Sequence, residues 1–149
     1  MSLEYRVDLL QRVLAGLCKS LEGARAAVVV SVEGLVVASY PPGDESLLDE
    51  PASGVRDDRD PVTSSQVAAM ASIMVTHGER TLGRLGLSDG EIDRLLIEGS
   101  RGSLVVLPVS DEVALAVLLE KEAKAGVALH IVPRAAQQVR QILERQTAV

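Results

Sequence analysis

The 149 residues predict an α+β fold, with a helix at each end and one in the middle around five strands. Three observations carry this prediction. The stretch from Thr63 to Leu85 has helical periodicity and no charged residue between Thr63 and Gly78. Two β-branched runs, Ala26 to Ser31 and Leu35 to Tyr40, flank a turn ending in Glu33-Gly34. Three further strand-like runs between Glu91 and Leu119 are separated only by short turn signals. The length suits one domain, spanning 1–149, and an apolar content of 47% excludes disorder of the chain as a whole.

The first helix is expected over Ser2 to Leu21. Leu3, Val7, Leu10, Leu14, Leu17 and Leu21 fall alternately four and three residues apart, opposite Glu4, Arg6, Asp8, Gln11, Arg12 and Lys19. Cys18 adjoins this stripe and reads as a small buried apolar residue, since no electropositive partner is evident to activate a thiol. Gly23 is a natural C-cap. Both strands of the hairpin that follows are apolar on both faces, as suits a sheet with helices on one side and something else on the other.

Residues 41–62 change character abruptly. Seven acids (Asp44, Glu45, Asp49, Glu50, Asp57, Asp58, Asp60) stand against Arg56 and Arg59, which puts five of the six net negative charges into one loop. A loop this long is either functional or disordered. The spacing lacks the Asp-x-Asp-x-Asp-Gly order of an EF-hand, so a solvated loop able to meet a basic partner is preferred, and a metal- or ligand-binding loop is the alternative.

The central helix opens with Thr63 and Gln66 in capping-box spacing. Val67, Met70, Ala71, Met74, Gly78, Leu82 and Leu85 form one apolar stripe, and Ala69, Ile73, Thr76 and His77 a second, weakly polar face. A helix on a single core needs a charged outer face, so this one is expected to be covered on both sides. A second copy of the chain is the economical cover, and complete burial within one chain the alternative.

Beyond the turn at Ser88-Asp89-Gly90, Glu91 to Glu98 reads as a strand of mixed polarity near a sheet edge. Ser103 to Val109 is a buried strand with Pro108 at its end, and Val113 to Leu119 closes a meander. Val127 to Val132 is ambiguous. Pro133 suits a first helical residue, with Ala136, Val139, Ile142 and Leu143 lining one face; a helix starting near Gly126 and kinked at Pro133 competes.

Composition closes several functional classes. The chain has no Trp or Phe, and Tyr5 and Tyr40 are its only aromatic residues of that kind, so stacking platforms for single-stranded nucleic acid are disfavoured. A net charge of -6 disfavours duplex binding. A single cysteine excludes an internal disulfide, the N-terminus does not read as a signal peptide, and no apolar run approaches a membrane span. A cytoplasmic protein is expected.

The order of elements, with Glu33 to Ser39 at the hairpin, Gln66 to Met74 in the central helix and Leu95 to Val106 at the third-to-fourth strand turn, resembles the roadblock/dynein light chain family. The resemblance implies an α-β-β-α-β-β-β-α fold, with a five-stranded antiparallel sheet between helices. It also implies a homodimer in which central helices pack together and third strands pair across a two-fold axis. The seam carried over is Ala69, Met70, Ile73, Met74 and His77, with Ile92, Asp93, Arg94, Leu95, Leu96 and Ile97. Members of that family act as adaptors or regulators of small Ras-like GTPases, including bacterial and archaeal partners of gliding and polarity GTPases. The acidic insertion departs from the family pattern and leaves the partner open.

No catalytic constellation is evident, and no cofactor is implied. His77 and His130 stand alone, and neither a Gly-x-Ser-x-Gly elbow nor a phosphate-binding loop occurs. Gly83-Arg84-Leu85-Gly86 reads as a helix stop rather than a nucleic-acid clamp. Arg80, Arg84 and Arg101 read as surface residues rather than an arginine finger acting on a partner GTPase, the most that could be expected of them.

Overall fold

A computed structural model of the chain describes residues 3–43 and 62–145. Its elements are α1 (Leu3–Ser20), β1 (Ala24–Ser31), β2 (Val36–Tyr40), α2 (Ser64–Arg84), β3 (Leu95–Gly99), β4 (Gly102–Pro108), β5 (Val113–Glu120) and α3 (Ala125–Glu144). The strands form one antiparallel sheet in the order β2-β1-β5-β4-β3.

Because the strands are apolar on both faces, alternation along β1 feeds two cores. Ala27 and Val29 join Leu10, Leu14 and Leu17 of α1 and Ala128, Val132, Ala136 and Val139 of α3. Ala26, Val28 and Val30 turn the other way and meet Val67, Ala68 and Ala71 of α2. The sheet is therefore covered by α1 and α3 on one face and by α2 on the other. Leu10 and Leu14 are fully buried, each contributing about 1.5–3 kcal/mol of transfer free energy.

Local chemistry fixes the element ends. Gly34 in the hairpin turn has φ 86°, a conformation open to glycine and costly for other residues. Thr63 caps α2 by accepting the Gln66 N–H at 3.2 Å, and the buried Ser64 hydroxyl donates to the Gly43 carbonyl at 3.1 Å. At the far end Gly86, at φ 69°, lets the Leu87 N–H return to the Leu82 carbonyl at 2.8 Å.

Three expectations are corrected. Residues 91–94 are not strand, and β3 begins only at Leu95. The reason is Ile92, which is buried against α2 at Gly78, where a Cβ would come within 2.9 Å of the Ile92 Cδ1. Anchoring that side chain under the helix takes the segment out of the sheet.

The C-terminal helix starts at Ala125, as the competing reading with a start near Gly126 has it, with Pro133 inside the helix rather than at its head. Pro133 forfeits one backbone hydrogen bond. Buried Ala128, Val132, Ala135, Ala136 and Val139 run along one face on both sides of it and hold the helix together.

The third correction concerns α2, whose sheet-facing residues are Ser64, Val67, Ala68 and Ala71, with Val75 half-buried. Met70 was expected on that stripe and is instead 55% exposed. The small side chains at 68 and 71 bring the helix close to the sheet and rotate the methionine out.

Candidate interaction surface

The outer face of α2 is built from residues that the helix period places opposite Val67, Ala68 and Ala71. Ala69, Met70, Ile73, Thr76 and His77 are exposed, and Met74 is half-buried. Ile73 shows 52% of its surface. A helix face on water normally carries charge, and contiguous exposed apolar surface of this kind marks an interaction site.

The edge of the sheet supplies a second component. Strand β3 pairs only with β4, from Leu95 opposite Val106 to Gly99 opposite Gly102. Its other side therefore presents backbone groups with no strand partner among the described residues. Leu95 packs with the α2-side core and Leu96 with the α1/α3 core. Ile97 follows on the α2 side and is 39% exposed.

The register extends this apolar surface inward, because Ile97 lies opposite Leu104, and Leu104 opposite Leu118. Leu104 and Leu118 are half-buried and pack against the same core as Val67 and Ala71. The outer face of α2 and the β3 edge thus border one apolar cluster. Leu104 and Leu118 were not among the residues expected here. Only cross-strand register reveals them, and a single sequence does not display it.

The eleven residues carried over from the resemblance do not all share this surface. Ile92 is only 7% exposed and belongs to the interior of the chain. Asp93 and Arg94 are exposed but precede the strand.

His77 and His130 lie on helices covering opposite faces of the sheet, and His130 Nε2 is 3.3 Å from Arg134 Nη2. Among the described residues no group of three or more His, Cys, Asp or Glu side chains is placed to hold a metal ion. The seven acids of the 41–62 loop lie outside the described residues, and with them the metal- or ligand-binding alternative. Arg80, Arg84 and Arg101 are exposed. Burial pushes the Cys18 thiol up to about 11, opposite to the shift an activated nucleophile needs. No described helix is long and apolar enough to cross a membrane.

A five-stranded antiparallel sheet with two helices on one face and a single helix on the other is the class of fold seen in solved roadblock domains. The Roadblock/LC7 domain from Streptomyces avermitilis superposes with a TM-score of 0.67 over 90% of this chain and 97% of its own, at 24% identity. The gliding protein MglB from Thermus thermophilus gives 0.73 over 94% and 92%, at 18% identity. Two uncharacterized proteins of Methanocaldococcus jannaschii are each 29% identical over 132 residues, covering 89% of this chain and 97% of theirs. No family model matches the sequence. The fold is that of the roadblock/LC7 domains.

Proposed function

We propose that this chain is a non-enzymatic cytoplasmic adaptor or regulator that works as a homodimer and binds a small Ras-like GTPase. The observation that carries the reading is the uncharged, exposed outer face of α2 beside the free edge of β3. In the proposed dimer the α2 faces of two copies cover each other, and the β3 strands pair across a two-fold axis into one continuous sheet. Ala69, Met70, Ile73, Met74 and His77 lie in the helix seam, and Leu95, Leu96 and Ile97 in the strand seam. Such a contact is isologous, since the same patch serves both copies.

The GTPase is supported by the resemblance of the element order and the fold to roadblock proteins, and the fold neighbour from Thermus thermophilus is a gliding protein. In this role the adaptor positions the GTPase and contributes no catalytic side chain of its own. The test is co-purification of the tagged chain from its native cell, followed by identification of stoichiometric partners. A Ras-like GTPase at a fixed ratio to the dimer is the expected result. Its absence, with another protein held stoichiometrically, would assign the adaptor elsewhere.

A further inference from the structure

A second surface lies on the opposite side of the sheet. Helices α1 and α3 border an open groove of about 670 Å³. Its floor is apolar, from Val13, Ile131 and Ile142, and its rim carries Arg12 from α1, Arg134 from α3 and Arg145 just past the end of α3. No Asp or Glu lines it, although acids outnumber bases in the chain by 21 to 15. Apart from the contact of Arg134 with His130, no bond joins the three arginines to another described side chain. The groove is thus a locally positive patch in a chain whose acids and bases outside the 41–62 loop are nearly balanced, 14 to 13.

Gly16 supplies an independent observation. It sits inside α1, where glycine costs helix stability relative to alanine, and it is exposed along the groove. A Cβ there would meet nothing within 4 Å, so packing inside the chain does not require the absence of a side chain. A bare helix backbone allows another backbone to approach closely.

We propose that the α1/α3 groove is a docking site for an acidic amphipathic α-helix of a partner protein. Its apolar stripe lies on Val13, Ile131 and Ile142, its backbone crosses α1 at Gly16, and its flanking carboxylates meet Arg12, Arg134 and Arg145. Because α2 covers the other face of the sheet, this site is available whether or not α2 is engaged by a second copy. It does not depend on the GTPase reading.

The test is selection of a phage-displayed library of helical peptides, unbiased in charge, on the intact chain. Selected peptides are then synthesised and titrated by fluorescence anisotropy. Enriched sequences are expected to be amphipathic with net negative charge. Gly16→Trp, which fills the groove, and the pair Arg12→Glu with Arg145→Glu, which reverses its rim, should each weaken binding at least tenfold. Arg80→Ala, an exposed residue of α2 on the far face, should leave it unchanged, and melting curves verify that each variant is folded. No enrichment, selection of neutral or basic peptides, or binding that follows Arg80 instead of Gly16 would overturn the proposal. So would a change in self-association with Gly16→Trp, which would assign the groove to a second copy.

Discussion

Ile73→Ala tests the homodimer most directly, because the side chain lies at the centre of the uncharged face of α2. Ile73 is 52% exposed in a single copy. Full burial of such a side chain is worth about 1.5–3 kcal/mol, so covering the remaining half contributes about 1 kcal/mol per copy. The two-fold axis makes each substitution count twice, and the dimer loses about 2 kcal/mol. At 1.4 kcal/mol per decade, Kd rises roughly 30-fold. Sedimentation equilibrium over a hundredfold concentration range measures this. Ile73→Glu goes further, placing an uncompensated charge in the seam, and should give a monomer or insoluble protein. The fold of one copy should tolerate Ile73→Ala, since half of the side chain already faces water. A wild-type chain that stays monomeric, or an Ile73→Glu chain with wild-type dimer mass and Kd, would refute the reasoning.

Three other outcomes follow from the geometry. Thr63→Ala removes the acceptor for the Gln66 N–H and should cost about 1 kcal/mol in urea unfolding. Gly102→Ala would drive a Cβ into the Leu119 carbonyl oxygen of the neighbouring strand and should destabilise the sheet by about 1–3 kcal/mol, read as a lowered Tm. Cys18, with its thiol held up to about 11 by burial, should be alkylated by iodoacetamide at pH 8 roughly a hundredfold more slowly in the native than in the urea-unfolded chain. The native rate should go on climbing above pH 9, because a raised acid pKa delays formation of the reactive thiolate.

The helix–hairpin–helix–meander–helix order was legible because each element has its own period and its own stop. The leucines of α1 repeat at four and three, β1 and β2 are β-branched around Gly34, and Thr63 announces α2. The local pattern misleads where a residue serves a distant partner. Ile92 alternates like a strand residue but is a plug beneath Gly78 of α2. Pro133 looks like a helix start, yet the apolar face from Ala128 to Val139 outweighs the one donor it lacks. Met70 fits a helical stripe as well as Ala68 does, and only the close approach of α2 to the sheet decides which faces inward. The uncharged outer face of α2 is legible in the sequence from the lack of charge between Thr63 and Gly78. Its extension through Leu104 and Leu118 was hidden because it depends on how β3, β4 and β5 align.

The sheet has two unlike ends. Pairing with β2 is interrupted by a bulge between Val29 and Val30 of β1, the strand is five residues long, and Pro41 and Pro42 follow it at once. Prolines and irregular pairing discourage the addition of another strand. In the proposed dimer, where β3 pairs with its twin, the sheet margins left facing outward are the two copies of β2. Growth by strand addition would then end at a closed pair, and the β2 margin would act as a terminator against fibre formation.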